Sequence, residues 1–303
     1  MQRVRATLLT TLHRRPGWRT LVLWLPAGGW LAVFFAIPLG IMATYAFRPR
    51  YILGGIYPGW TTAHVARLVE PLYLAVLGKS ILLSLGATAL SLLVAYPMAL
   101  VIVRASRWRA MLLFLVVLPF WTSFLVRTYA TIFVLRDTGL INRLLQTVGI
   151  IHDPIRMLYT PGAVLFGLVT GFLPFMVLPI YASLEKLDPA LLEAAEVLGA
   201  PAWRRFWRVT WPLTLPGVVV GSLLVFVPAL GSFLTSDLLG GAKVVLIGNL
   251  VQDQFTSARN WPFGSALSFL LLLVVLAGML IQLRFGSGGT VVAAPDESGT
   301  PRS

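Results

Sequence analysis

Met157-Leu-Tyr-Thr-Pro-Gly-Ala-Val-Leu-Phe-Gly-Leu-Val-Thr-Gly-Phe-Leu-Pro-Phe-Met-Val-Leu-Pro-Ile-Tyr-Ala-Ser-Leu184 runs 28 residues without an Asp, Glu, Lys or Arg. As a helix it extends about 42 Å, more than the ~30 Å hydrocarbon core of a bilayer. Four more charge-free runs of 24 to 28 residues lie to either side: Thr20–Phe47, Ser80–Val103, Val209–Ser236 and Asn260–Leu283. A sixth, Ala110–Val126, is interrupted by Arg127 and then continues to Leu135. Six spans is the economical reading, and it predicts an all-α membrane bundle.

Composition agrees. Of 303 residues 57% are hydrophobic and 12% charged, where soluble proteins carry about 25% charged residues. The expected layout is a basic segment over 1–20, a membrane domain over 21–285, and a disordered tail over 286–303 rich in Gly, Ser, Pro and Thr. The net charge of +13 comes from bases between the apolar runs rather than from a basic-aromatic module, so no nucleic-acid partner is expected.

The same bases set the expected orientation. With the N-terminus inside, segments 1–20, 104–109, 184–212 and 284–303 carry 14 Lys/Arg in 75 residues. The opposite segments, 47–79, 136–160 and 236–262, carry nine in 85. The positive-inside rule then puts both termini in the cytoplasm. The 28-residue run after the N-terminal arginines exceeds a signal-peptide core of roughly 7–15 residues, so it is expected to stay as the first span.

Several chemistries are not encoded. There are no cysteines, and His13, His64 and His152 stand far apart, which leaves no metal-ligand spacing. No GxSxG elbow occurs. The nearest approach to a phosphate-binding loop, Gly78-Lys79-Ser80, has Tyr73 where a glycine is required. No catalytic residue, cofactor or metal site is expected in this chain.

Between the fourth and fifth expected spans lies Glu185-Lys-Leu-Asp-Pro-Ala-Leu-Leu-Glu-Ala-Ala-Glu-Val-Leu-Gly199. Asp188 is placed to cap a helix that starts at Pro189, and Gly199 to end it in the left-handed conformation. Leu191, Ala194, Ala195 and Leu198 share one face at i, i+3, i+4 and i+7. Pro201 and Pro212 bracket a second short helix, expected over Ala202–Trp211. Two readings fit this amphipathic segment: a helix that seats in a groove of a cytosolic partner, or a loop lying on lipid headgroups.

Glu193-Ala194-Ala195, three residues, Gly199, nine residues, Val209, one residue and Trp211-Pro212 resembles the EAA loop of binding-protein-dependent ABC importer permeases. Val209 stands for Ile and Trp211 for Leu in that pattern. The resemblance implies that Glu193, Ala194, Ala195, Gly199 and Pro212 couple the chain to an ATPase subunit, which binds the ATP. It implies the type I importer (MetI-like) permease core over 76–284, with the coupling loop at 185–212. It also implies a second six-helix permease, an extracytoplasmic substrate-binding protein, and a bacterial cytoplasmic (inner) membrane location. Pro119–Ala130, Pro174–Tyr181, Val227–Gly241, Leu246-Ile-Gly-Asn249 and Asn260-Trp261-Pro262 are similar to the first permease subunit of spermidine/putrescine importers. That likeness, over roughly 75–285, implies a polyamine or related cationic amine as substrate. One departure is Asn260, where such permeases often carry Asp, and it leaves room for another cationic amine.

A path for cations calls for carboxylates and aromatic faces. Asp237, which ends the fifth run, is a pathway candidate or else a helix-terminal partner. Asp253 follows in the same outer segment. Trp121 and Tyr129 line the pathway or belong to an interfacial aromatic belt. On a continuous helix Arg127 lies about 27 Å beyond Arg109, near the outer interface, where it is expected to pair with Asp237. The patterns Gly167–Gly171 and Gly217–Gly221 mark helix contacts or arise by chance. The rival function is a transporter driven by an ion gradient, which needs ionisable or unwound sites near the midplane. The five long runs contain no acid.

Overall fold

The computed structural model describes residues 16–51 and 55–286, with side chains described from 24 to 281. The expected tail 286–303 beyond its first residue, and all but the last five residues of the basic segment 1–20, lie outside the described residues. Apart from one isolated bridge between Arg50 and Ile56, the regular structure described is helical. Helices α1 (Pro16–Leu31) and α2 (Ile37–Ala46) are joined by a π turn. They are followed by α3 (Ala63–Arg67), α4 (Pro71–Arg104), α5 (Arg109–Val117), α6 (Phe124–Leu135) and α7 (Leu140–Thr147). Then come α8 (Pro161–Glu185), α9 (Pro189–Val197), α10 (Ala202–Arg205), α11 (Trp211–Gly231), α12 (Leu234–Gly240), α13 (Ile247–Phe255) and α14 (Trp261–Gly286). Among the described residues, five helical stretches are long and apolar enough to cross a membrane, or six if the bent pair formed by residues 109–121 and 124–147 is one span.

The chain divides into two compact units, residues up to Glu70 with Asp253–Phe269, and Pro71–Gln252 with Leu270 onward. The larger unit is built on α4, α8 and α11 packed together. Lipid tails are as apolar as leucine, so helices associate here through close packing. The middle of the buried face of α4 is accordingly rich in small residues, Ser80, Ser84, Ala87, Ser91, Ala95 and Ala99, with larger Tyr73, Leu77 and Ile102 toward its ends. Leu168, Met176 and Ile180 of α8 fill the middle, fully buried.

Both small-residue patterns are real contacts. A Cβ at Gly217 would lie 2.4 Å from the Pro179 carbonyl oxygen, and one at Gly221 would lie 2.8 Å from Met176 Sδ. This is how α11 closes on α8. A Cβ at Gly167 would strike Leu239 and Thr235 of α12, and one at Gly171 would touch Phe124 of α6.

Three expectations are corrected. The run from Ala110 to Leu135 is not one helix. A 3₁₀ turn over Leu118–Trp121 and extended backbone at Thr122 and Ser123 break it, and its two arms meet at 98°. Pro119 lacks an N–H, and the Thr122 hydroxyl donates to its carbonyl at 2.8 Å, which closes the turn instead of extending the helix. Arg127 therefore does not stand 27 Å up a straight helix. Second, the run Val209–Ser236 stops being one helix at Gly231, and Ser232 and Phe233 separate α11 from α12. Third, the helix begun at Ala202 does not end at Trp211. It continues through a π turn over Phe206–Thr210 into α11. That wider turn just ahead of Pro212 leaves room for a residue that cannot donate.

In the smaller unit, Trp24, Trp30, Phe34 and Phe35 are all exposed, and no part of the most apolar stretch of Trp24–Ala46 is buried. Lipid or another chain must cover it. Nearby, Arg50 donates to the Ala258 carbonyl at 2.7 Å, and Arg67 lies over the ring of buried Phe263 at 4.7 Å. His64 sits 6.3 Å from the same ring. Burial and the charges of Arg67 and Arg50 hold its pKa below the usual value.

Candidate functional site

The segment after α8 is a capped helix held at both ends. The Asp188 carboxylate accepts from the Ala190 N–H at 2.9 Å, satisfying a first-turn donor that has no partner within the helix. At the other end Gly199 takes φ +74°. The Gly199 N–H donates to the Glu196 carbonyl and that of Ala200 to the Ala195 carbonyl, the two bonds of a Schellman motif. Arg205 reaches back to the Glu196 carboxylate, tying α10 to α9. Glu193, Ala194 and Gly199 are exposed and Ala195 is half-buried. Leu191 is exposed, and so are Val197 and Leu198, at 87% and 86%. Within this chain, the apolar side of α9 is open.

The roots of this segment are pinned. Glu185, the last residue of α8, accepts from Arg109 at 2.9 Å and from the Tyr181 hydroxyl at 2.8 Å. Arg109 also donates to the Val103 carbonyl at 3.3 Å. The α4–α5 turn is thereby joined to the start of the capped segment. At the far root, Phe206 and Trp211 pack on Tyr96 of α4, with ring centroids 5.5 and 5.3 Å away. Tyr96 and Thr214 hydroxyls are hydrogen-bonded at 2.8 Å. Trp211, where the EAA pattern has leucine, thus spends its extra bulk on an aromatic cluster that continues to Trp207. Pro212 lies exposed in the first turn of α11.

A second polar centre forms where α11 breaks. The chain leaves α11 at Gly231, makes α12, turns at Gly241 (φ +54°) and re-forms as α13. Asn249 staples this hairpin. Its side-chain oxygen accepts from the Leu246 N–H at 3.0 Å, and its amide donates to the Phe233 carbonyl at 3.1 Å and to the Asp237 carboxylate. Ser236 donates to the Val244 carbonyl. The Ile247 N–H donates to Ser80 of α4 at 2.8 Å. Gly248 approaches so closely that a Cβ there would lie 2.5 Å from the Gly231 carbonyl oxygen. Thr235, Ser236, Asn249 and Ser80 are buried, while Asp237 lies on the exposed side of α12.

Asp237 is thus oriented by Asn249. Arg127 has other partners. Its guanidinium lies 5.5 Å from the ring centroids of Phe120 and Phe124, and it donates to the Gly171 carbonyl at 3.4 Å. It bridges the two sides of the bend. Trp121 is 78% and Tyr129 46% exposed. Asp253 and Asn260 fall in the other unit. There Asn260, 3% exposed, accepts from the Phe263 N–H at 3.4 Å at the start of α14. A cap is filled equally well by Asn or Asp, so the substitution at 260 preserves a structural role.

Sequence reasoning missed Glu185, Arg109 and Tyr181, and also the Tyr96 anchor. Nothing in a one-dimensional pattern links positions 76 residues apart. Asn249 did carry a signal, through the Leu246-Ile-Gly-Asn249 similarity.

Residues 90–287 match the model of the family described as binding-protein-dependent transport system inner membrane component. The spermidine/putrescine transport system permease protein PotB of Salmonella typhimurium (strain SL1344) is 44% identical over 257 residues, covering 84% of this chain and 90% of that one. The PotB protein of Haemophilus influenzae is 46% identical over 253 residues, covering 83% and 88%. Among solved structures, a chain of a bacterial alginate ABC transporter in complex with an alginate pentasaccharide-bound periplasmic protein superposes with TM-score 0.68 at 20% identity, covering 92% of this chain and 97% of that chain.

Proposed function

Because this chain belongs to the family of binding-protein-dependent transport system inner membrane components, we propose that it forms half of the translocation pathway of an ABC importer for spermidine, putrescine or a related cationic amine. One observation carries the coupling half of this reading. A short helix, capped at both ends by its own residues, presents Leu191, Val197 and Leu198 to solvent, and stiff anchors root it in the bundle. An apolar face left open on a rigid element fits a groove in a partner.

The partner is an ATPase subunit, and the ATP is bound there. Glu193, Ala194, Ala195 and Gly199 form the contact, with Pro212 at its inner margin. A displacement of α9 is passed on at two points: through Glu185 to Arg109 and Tyr181, and through Phe206 and Trp211 to Tyr96. Both points reach α4 or its turn, so movement at the loop reaches the packed core. The docking segment and both termini face the cytoplasm across a bacterial inner membrane. A second permease supplies the other half of the pathway, and an extracytoplasmic binding protein delivers the substrate.

The polyamine reading is supported by 44–46% identity to the PotB proteins and by the exposed carboxylate of Asp237. Trp121 and Tyr129 offer aromatic faces to a cation, while Arg127 serves the bend that sets Trp121 and Tyr129 on its two arms.

The test is affinity purification in mild detergent, probing for an associated ATPase. The wild type retains it, and Glu193→Ala and Gly199→Pro lose it while remaining folded. Uptake of labelled putrescine and spermidine into proteoliposomes then tests the substrate. If no ATPase accompanies any folded form, the coupling reading fails.

A further inference from the structure

At the other end of α8 from the docking segment, Arg136, Arg156 and Lys243 line one cavity of about 480 Å³, together with Asp137 and Tyr159. Three bases against one acid, Asp137, leave the cavity with a net positive charge that faces solvent, and the backbone around them is held in place. Asn142 is fully buried. Its amide donates to the carbonyls of Arg136 (3.2 Å) and Ile155 (3.0 Å), and its oxygen accepts from the Ile155 N–H (2.9 Å). One side chain thus locks the backbone at Arg136 beside the residue that precedes Arg156. The third base is fixed from the opposite wall. The Tyr159 N–H donates to the Leu239 carbonyl at 2.9 Å with Tyr159 at φ +61°, and its ring closes against Gly241. The Lys243 N–H donates to the Gly240 carbonyl, and the next residue receives the Ser236 hydroxyl. Neither Arg156 nor Lys243 makes a salt bridge among the described residues.

We propose that this cationic cup is the docking point for a carboxylate-bearing surface of the extracytoplasmic binding protein, a proposal that rests on the importer function above. Helix α8 has 25 residues, so the cup lies about 37 Å along it from Glu185, on the outer side if the docking segment is cytoplasmic. Lys243 follows α12, which carries Asp237, so a partner seated on the cup stands beside the proposed pathway. Guanidinium forks bind carboxylates in a fixed orientation. The same charge repels a free polyamine, so cationic substrate enters by delivery rather than by direct binding at the cup. Asp137 on the wall reduces the formal charge of the three bases from +3 to +2, which a pair of carboxylates balances.

The test uses the whole importer in proteoliposomes, with ATP hydrolysis followed as its cognate binding protein is titrated. The double variant Arg156→Glu, Lys243→Glu raises the half-saturating concentration of binding protein at least tenfold. Arg156→Gln, Lys243→Gln gives a smaller rise, and hydrolysis without binding protein is unchanged in both. Added salt weakens the wild-type response and leaves the double-Glu variant nearly insensitive. Unchanged half-saturation in the double-Glu variant overturns the cup. So does an effect that appears only in vesicles containing phosphatidylglycerol and not in phosphatidylcholine alone, which assigns the cup to lipid. A wild-type importer whose hydrolysis ignores the binding protein removes the importer reading and the cup with it.

Discussion

The capped segment at 185–212, which lies between two long apolar runs, and the hairpin at 232–249, which breaks one, are stabilised in opposite ways. The first ends its helix with its own neighbours. Asp188 caps residue 190, and Gly199 closes on residues 195 and 196. The second depends on groups far apart in the chain. Ser80 receives the N–H of residue 247, and Asn249 reaches back to residues 233 and 237. The reason is solvent. An exposed helix end has water as its fallback, so a local cap suffices. A break inside the bundle has none, and every freed backbone group must find a protein partner. The capped segment can therefore change without endangering the fold, whereas the hairpin cannot be altered without loosening the core.

Substitutions in the two regions should separate along that line. Asn249→Leu gives the largest effect. It strips partners from the Leu246 N–H and the Phe233 carbonyl, and about 2–5 kcal/mol of stability is lost. Thermal unfolding in detergent checks this, and a loss below 1 kcal/mol breaks the contrast. Gly199→Ala is smaller. Forcing a Cβ into the left-handed region costs about 1–2 kcal/mol locally, so the melting temperature of the bundle barely moves while ATPase retention drops several-fold. A fall in melting temperature as large as that of Asn249→Leu means the segment is part of the core after all.

The smallest expected effect lies in the other unit. His64 has a folded pKa below its unfolded value near 6.5, so the folded state binds the proton less readily than the unfolded state. Its contribution is complete above about pH 6.5 and is lost as pH falls toward and through the depressed folded value. His64→Gln should flatten the decline in stability between about pH 7 and pH 5. An unchanged slope means other groups control it.

The fourteen-residue pattern from Asp188 to Pro201 was legible because each of its signals is satisfied within a few residues. The apolar runs were legible as membrane segments for the same reason, since hydropathy is a local property. The bend at Thr122–Ser123 was not. Pro119 is visible, but proline is tolerated in many membrane helices, as Pro174 and Pro179 are in α8. Whether proline breaks a helix depends on what receives the freed groups. Arg127 illustrates the cost of that gap. Read on a straight helix, it belonged beside Asp237, whereas in the structure it spans the bend between Phe120 and Phe124.

By itself the sequence determined that this chain lives in a membrane, that its spans are helical, and that a capped helix bearing the EAA pattern lies between two of them. Those features rest on the solvent preference of side chains and on contacts no longer than one helical turn. Tertiary structure decided which runs bend, that Asn249 holds Asp237, that Glu185 and Tyr96 root the capped segment, and that three distant bases share one cup. The last three depend on groups from 12 to 118 residues apart. Only the packing of the larger unit around α4, α8 and α11 brings such groups together.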